Sequence, residues 1–436
     1  MNPHRKLRVL LIAEAANPEW TSVPLVGWSL SAAMAEIADV HVVTQFRNRD
    51  AIVRHGWTEG KEFSALDTEA LAGPLYRIAQ VLRGGANKGW TTVVAVNALA
   101  YYYFERKLWR AFGSRIRAGE FDIVHCVTPL TPILPSLIAA KCKAAGVPFV
   151  WGPINGGTPW PKGFGDVRRK EREWLSYARS AYKLLPGYRS TREAASAIIA
   201  GSHDTREQLG ARYIPKSVYI PENGLDLKRF SKTCPGQIRT PLRICFIGRL
   251  VPYKGADMLI EAAVPLLKDG KAVIDVIGDG PEMGRLATMV REQNVERHVK
   301  LDGWIPHEKL QDRVIESDIF GFPSVREFGG GAVLEAMILG LVPIIFDHGG
   351  PSELVTDATG YKLPKGSRDS IVTNLRALLA RLADDPADLI PKREKAIETA
   401  RRLFTWQAKA DQVYEVYRWV LGERRDKPVF GFPSEP

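Results

Sequence analysis

The chain has 436 residues, 45% of them hydrophobic and 25% charged, with a formal net charge of +11. That length exceeds what one hydrophobic core usually supports, so two domains of roughly 200 residues each are expected, and the ordinary composition, without low-complexity tracts or repeats, excludes a disordered chain and a solenoid. The charge is uneven: residues 1–225 hold 29 Lys and Arg against 19 Asp and Glu, while residues 226–436 hold 31 against 30.

In chain order, a polar Met1–Lys6 runs straight into the strand-like Leu7–Ala13, leaving no room for a signal-peptide core, so a soluble cytoplasmic protein is expected. A helix over Val26–Ala38 and a strand over Val40–Thr44 follow. Trp90–Phe104 comes nearest to a membrane span, but it holds Thr, Asn and several Tyr and falls short of the roughly 18 apolar residues needed. Arg106, Lys107, Arg110, Arg115 and Arg117 come after this aromatic run, and Arg168, Arg169, Lys170 and Arg172 precede Trp174 and Tyr177. Basic residues beside aromatics fit an anionic membrane surface, hence a peripheral protein at the inner face; solvated helix faces explain each cluster singly as well. No RNP, zinc-finger or helix-turn-helix signature accompanies the charge, so nucleic acid is not expected as a partner.

Further strand-like runs at Ile123–Val127, Phe149–Trp151 and Ala197–Ala200, with a helix over Ser136–Ala145 between them, repeat the alternation of a parallel sheet covered by helices. Pro221, Gly224, Pro235 and Gly236 break the pattern between Ile220 and Pro241, which places the interdomain linker there. Alternation then restarts with strands at Ile244–Ile247, Ala272–Ile277, Val299–Leu301, Ile319–Phe322 and Pro343–Phe346. Helices are expected over Met258–Leu267, Met283–Gln293, Ala332–Leu339, Ile371–Ala383 and Trp406–Leu421. The four cysteines, Cys126, Cys142, Cys234 and Cys245, form no CxxC pair and have no histidines at ligand spacing, so neither a metal site nor a disulfide framework is expected.

Parallel sheets bind ligands at the carboxyl ends of their strands, which directs attention to the loops there. The Ile244–Ile247 strand runs into Gly248-Arg249-Leu250-Val251-Pro252-Tyr253-Lys254-Gly255 and a helix. Gly248 allows close backbone approach, Arg249 and Lys254 supply positive charge, and the helix N-terminus offers free N–H groups, so the segment can hold a diphosphate without a metal. A basic turn capping a helix is the bland alternative. The next loop, Gly278-Asp279-Gly280-Pro281-Glu282, lets a flat group lie on main chain. In Arg326-Glu327-Phe328-Gly329-Gly330-Gly331-Ala332-Val333-Leu334-Glu335 two carboxylates bracket a glycine loop; a carboxylate can accept two hydrogen bonds from a ribose diol, and bare glycine amides suit a phosphate or sugar.

These stretches, IGRLVPYKG, IGDGPE, LDGWIPHEKL, REFGGGAVLEAM with its E-x7-E spacing, and DHGGPSELV, resemble in content and order the retaining glycosyltransferases of family 4, which have the GT-B fold. PENGLDLKRF resembles the family's linker and FTWQAKADQVYEVYR its terminal helix, so the likeness covers nearly all of the second half and only loosely the first. It implies an α/β fold of two Rossmann-like doubly wound domains facing across a cleft: residues 1–221 on the acceptor side, 222–405 on the nucleotide-sugar side, and 406–436 a helix returning to the first domain. Arg249 and Lys254 would then bind the donor diphosphate and stabilise it as leaving group, Glu335 would hold the ribose, Glu327 the donor sugar, and Gly248, Gly278, Gly280, Phe328, Gly329 and Gly330 would supply backbone contacts. Glu327 meets Phe328 directly, whereas the family often has one residue more between them. FDIVHCVTP resembles the strand end carrying the family's donor-side histidine, making His125 the candidate, with a buried, satisfied histidine its rival. Gly27 stands where many members have a Gly-Gly phosphate loop, and Asn155, Gly156 and Gly157 form a candidate acceptor loop or a tight structural turn.

The activity implied is transfer of a sugar, with retention and without cofactor or metal, from a nucleotide-sugar to a glycan or lipid-linked acceptor in polysaccharide or glycolipid synthesis. No residue stands out as a covalent nucleophile, which favours front-face attack. A nucleotide-sugar-binding regulatory subunit and an epimerase on the same fold stay open as alternatives.

Overall fold

The structure, a computed structural model, describes residues 5–69, 90–161, 163–165, 182–234, 236–238 and 240–434. By mutual contact these fall into two units. The first holds the described residues within Met1–Gly156, Trp174–Glu222 and Lys409–Val429; the second holds those within Gly157–Glu173, Asn223–Ala408 and Phe430–Pro436.

Unit 1 runs β1 (Arg8–Ala13), α1 (Val23–Ile37), β2 (Asp39–Gln45), α2 (Arg49–Arg54), β3 (Phe63–Leu66), α3 (Trp90–Arg117), β4 (Ile123–Thr128), α4 (Ile138–Ala144), β5 (Phe149–Ile154), α5 (Tyr188–Ala194), β6 (Ala197–Ala200), α6 (His203–Leu209) and β7 (Ser217–Tyr219). The strands form one parallel sheet in the order β3-β2-β1-β4-β5-β6-β7. Sheet order reverses direction between β1 and β4, the switch point at which such sheets leave a crevice. β4 and β5 are buried along their whole length, which explains their continuous apolar reading. Tyr101, Phe104, Leu108, Phe112 and Ile116 recur at helical spacing on α3 and join Leu10, Ile12, Val124 and Trp151 in the core. Tyr101 and Phe104 of the aromatic run thus face the core, and no helix among the described residues is long and apolar enough to cross a membrane.

Unit 2 runs β8 (Leu242–Ile247), α7 (Ala256–Lys268), β9 (Ala272–Ile277), α8 (Met283–Glu292), β10 (Val299–Gly303), α9 (His307–Val314), β11 (Ile319–Phe322), α10 (Gly331–Leu339), β12 (Val342–Phe346), α11 (Gly350–Leu354), β13 (Tyr361–Leu363), α12 (Arg368–Asp384) and α13 (Leu389–Leu403). Its parallel sheet has the order β10-β9-β8-β11-β12-β13, with the switch point between β8 and β11. A last helix, α14 (Trp406–Val420), begins among the residues of unit 2 and from Lys409 belongs to unit 1.

The stretch read as a linker differs from that expectation. From Asn223 on it packs into unit 2: Leu225, Phe230 and Cys234 are buried, and Leu225 exchanges backbone hydrogen bonds with Phe404 and Trp406. Prolines and glycines mark a break in periodicity, but these apolar side chains still need cover. Residues 157–165, expected in the first domain, likewise group with unit 2, where Phe164 is buried and lies edge-on to Phe346 at 6.4 Å.

Candidate active site

At the switch point of unit 2, the loops after β8 and β11 stand side by side and are tied together by main chain. The Val325 amide donates to the Tyr253 carbonyl at 2.9 Å, and the Ser324 hydroxyl donates to the same oxygen at 3.3 Å. The β8 loop closes in a short helical turn, Pro252–Lys254, and passes through Gly255 at φ +80° into α7. A side chain there would be strained and would meet the Pro323 carbonyl at 2.7 Å.

This arrangement brings Lys254 and Glu327 into a direct ion pair, their side chains 16% and 19% exposed. Burial, and after it the Arg326 charge, press the Lys254 ammonium below the ordinary lysine range; the Glu327 carboxylate pulls the other way and favours the charged form. Lys254 also lies 5.3 Å from the Phe322 ring centre. Arg326 stacks between aromatics, its guanidinium 5.0 Å from Trp160 and 5.2 Å from Phe328, and Trp160 meets Tyr253 edge-on at 6.1 Å. Arg249 is exposed at the tip of the β8 loop.

Behind these groups the loops touch main chain to main chain. A methyl group on Gly278 would sit 1.9 Å from the Gly248 carbonyl oxygen, and one on Gly280 2.3 Å from that of Leu250. These glycines set the β9 loop directly on the β8 loop. The loop after β12 does the same for the Glu327 segment: Gly350 would meet the Phe328 carbonyl at 1.9 Å and Gly349 the Glu327 carbonyl at 2.5 Å. The Gly350 amide donates to the Glu327 carbonyl at 3.1 Å, and the Thr158 hydroxyl donates to it at 3.4 Å. Gly330, at φ +61°, caps α10, whose first-turn amides lack intrahelical acceptors and carry the positive end of the helix dipole. Glu335, the sole charged residue of α10, is partly exposed between buried Leu334 and Ala336. The loops at this strand end therefore gather Lys254, Arg326 and Glu327, with Arg249 on the β8 loop and Glu335 on α10: cations and a helix N-terminus suited to an anion, and carboxylates able to accept hydrogen bonds from hydroxyls.

The candidates of unit 1 take other positions. His125 is fully buried in β4, in register between Leu11 of β1 and Val150 of β5. Its Nε2 donates to the Gly152 carbonyl at 2.5 Å, and the Tyr417 hydroxyl of α14 donates to Nδ1 at 2.6 Å. Burial lowers its pKa to about 4. With both nitrogens engaged and no accessible surface, it is the buried, satisfied histidine, joining α14 to the sheet rather than presenting a ring to a ligand. Gly27 lies inside α1, not in a loop; a side chain there would strike the Ala15 carbonyl at 2.1 Å, so it serves close packing of α1 on the segment that follows β1. Asn155 donates to Glu222 at 2.8 Å and the Gly156 amide to Thr205 at 2.7 Å, which makes this pair an internally bonded turn. Gly157, at φ +85°, belongs to unit 2 and would meet the Phe328 ring at 3.1 Å. Arg168, Arg169, Lys170, Arg172, Trp174 and Tyr177 lie outside the described residues.

Sequence reasoning missed Arg326, Trp160, Gly349 and Gly350 as individual members of the site. The glycine pair carried a signal, standing just past the end of β12; Trp160, in a segment assigned to the other domain, carried none.

The model for glycosyl transferases group 1 matches residues 235–403, and that for Glycosyltransferase Family 4 matches residues 28–229. The amylovoran biosynthesis glycosyltransferase AmsK of Erwinia amylovora is 30% identical over 40% of this chain and 44% of its own length. The phosphatidylinositol N-acetylglucosaminyltransferase gpi3 subunit of Schizosaccharomyces pombe is 27% identical over 52% of this chain and 49% of its own. The chain thus spans about half the length of the curated relatives it matches. Among solved structures, HepE of Anabaena in complex with UDP superposes with a TM-score of 0.60 at 17% identity, covering 96% of this chain and 100% of that one. Sucrose-phosphate synthase of Thermosynechococcus elongatus does so with 0.58 at 17%, covering 96% and 100%. Two parallel-sheet α/β units with these neighbours are the GT-B architecture, and with one model matching within each half, the chain belongs to the family 4 glycosyltransferases.

Proposed function

We propose that the protein moves a sugar from a nucleotide-sugar, bound at the β8 and β11 loops of unit 2, to a glycan or lipid-linked acceptor in polysaccharide or glycolipid synthesis. The observation that carries this reading is the Lys254–Glu327 ion pair beside the N-terminus of α10. A donor diphosphate competes with Glu327 for Lys254. When it takes the ammonium, the Glu327 carboxylate is released to accept hydrogen bonds from donor-sugar hydroxyls, so one event positions both ends of the scissile bond. Arg249, Lys254 and the α10 amides then offset the charge that builds on the departing phosphate, the task a metal performs elsewhere, which supports metal independence. Glu335 accepts from the ribose hydroxyls.

The same geometry supports retention by front-face attack. Glu327 is tied to Lys254 or to hydroxyls, a poor state for a covalent nucleophile, and the leaving phosphate can take the acceptor's proton. UDP-sugars are the first donors to try, since HepE was solved with UDP and UDP-glucose.

The test is a panel of UDP-, GDP- and ADP-sugars titrated into wild type and Arg249→Ala with chelator present, turnover being followed by nucleotide release with membrane extract as acceptor. Binding and release with one donor, both lost in the variant, is the expected result. Binding without release favours a regulatory subunit, donor conversion without acceptor favours an epimerase, and no binding by any donor overturns the reading.

A further inference from the structure

Arg326 stands in the candidate site without a task in the donor reading, which draws on Arg249, Lys254 and the α10 amides for the diphosphate. Its guanidinium is held between two rings, 5.0 Å from Trp160 and 5.2 Å from Phe328. Trp160 reaches it on residues 157–161, which follow β5 in the chain but group with unit 2. Two buried side chains anchor this stretch. The Thr158 hydroxyl donates to the Glu327 carbonyl at 3.4 Å, and Phe164, further along, lies against Phe346. Between them the Pro159 carbonyl accepts from His348 Nε2 at 2.7 Å, and Trp160 meets Tyr253 edge-on. Gly157 lies against the Phe328 ring, where a side chain would meet it at 3.1 Å. One stretch of chain thus places the tryptophan and backs the phenylalanine.

Such a clamp fixes the plane of the guanidinium at a cost in rotamer freedom. The charge has a further cost, because burial and then Arg326 lower the Lys254 ammonium to about 8. A methionine or leucine would fill the space between the rings without opposing the cation that the diphosphate requires. A charge kept at a neighbour's expense points to an anion. The diphosphate is already met by two cations and a helix N-terminus, whereas Arg326 adjoins Glu327, the carboxylate given to the donor sugar. A neutral sugar offers Arg326 only hydroxyls, which an uncharged polar group meets as well. A carboxylate offers a planar pair of oxygens that matches the guanidinium fork, and without Arg326 its charge would face Glu327 unbalanced.

We infer that the Trp160–Arg326–Phe328 clamp selects a donor whose sugar carries a carboxylate, a nucleotide-linked uronic acid. The proposal rests on the nucleotide-sugar reading of the site and adds the class of sugar. Glucuronate and glucose, galacturonate and galactose, and mannuronate and mannose differ only in bearing a carboxylate or a hydroxymethyl group on the ring, so each pair isolates the contact. The probes are these pairs linked to UDP, GDP or ADP, titrated by calorimetry beside the free nucleotides. Wild type should prefer the acid of one pair by roughly ten- to a hundredfold, the range of a charge-assisted hydrogen-bonded pair. Arg326→Met, which still fills the gap between the rings, should bring that ratio to about one, and Arg326→Lys should leave it in between, since the charge stays and the fork goes. Trp160→Ala should lower the ratio by releasing the guanidinium. Arg249→Met should weaken both members of a pair alike and leave the ratio as in wild type. Melting curves show which variants are folded, and the wild-type ratio needs no variant. A wild-type ratio of one or below for every pair, or a preference for the acid that survives in Arg326→Met, overturns the proposal. Equal loss of free nucleotide, neutral donor and acidic donor in Arg326→Met gives the arginine to the diphosphate and overturns it too. Nucleotide binding without preference for an acid sinks the uronate reading alone; no binding by any nucleotide or donor sinks the donor site itself.

Discussion

Two buried groups in unit 1 should make the protein's acid response depend on which is removed. His125 falls from its ordinary 6.5 to about 4 on folding, chiefly through burial. Between those values the unfolded chain binds a proton that the native state refuses, so acidification costs stability, and the loss is complete below about pH 4. Glu105 behaves oppositely: burial raises it from 4.5 to about 7, against the Ser136 and Leu137 hydrogen bonds. Its native state keeps a proton that the unfolded chain has released, so stability is lost as pH rises through 7 and regained on acidification. From pH 7 to pH 5 linkage assigns each group about 2 kcal/mol, of opposite sign. Together they nearly cancel. His125→Gln should therefore gain about 2 kcal/mol relative to wild type over that interval, whatever its absolute loss at pH 7, and Glu105→Gln should lose about as much. Other buried ionisable groups of the unit, Glu14, Glu222 and Lys409, are common to all three proteins and drop out of the comparison. Urea denaturation at both pH values, read by hydrogen–deuterium exchange on peptides spanning β4, measures it. Parallel pH slopes in the three proteins would refute the reasoning.

Gly350→Ala places a methyl group 1.9 Å from the Phe328 carbonyl oxygen, so the Glu327 loop must move by about 1 Å; sugar transfer should fall on the order of a hundredfold while thermal stability drops by only about 1–3 kcal/mol, as steady-state kinetics and a melting curve can show. Lys254→Met leaves Glu327 beside Arg326 without its ammonium partner and should abolish donor binding in calorimetry, whereas Lys254→Arg should restore part of it. Arg393 is a buried partner of Asp318 at 3.1 Å and also donates to the Gly340 carbonyl at 2.9 Å. Arg393→Leu should therefore cost about 3–5 kcal/mol in urea titration, and adding Asp318→Asn should recover part of that loss.

Much of the fold was legible because central strands such as β4, β5 and β12 are buried from end to end and read as nearly continuous apolar runs. The edge strands β3, β7 and β13 have 4, 3 and 3 residues, too few to show a period, and they escaped. In the site, Arg249, Lys254, Glu327 and Glu335 stood out because charge beside glycine at a strand end has few structural uses. His125 misled because a motif locates a residue along a strand but not the partners of its ring; the second partner, Tyr417, lies 292 residues away. Trp160 was hidden for a similar reason, since chain order says nothing about which unit a connecting segment packs on. Gly27 shows the converse: a glycine read as making room for a ligand makes room for the Ala15 carbonyl.

The glycines that seat Gly278 on Gly248, Gly280 on Leu250 and Gly350 on Phe328 have a mechanical meaning. Where loops meet through side chains, a rotamer change can absorb a small misfit; here peptide planes bear on peptide planes, and nothing between them can yield. The floor of the proposed donor site is therefore stiff, with its position referred directly to the ends of β8, β9, β11 and β12. Adaptation to a different sugar or base must then occur in the exposed side chains, at Arg249 and Phe328, which can vary without shifting the bed they stand on.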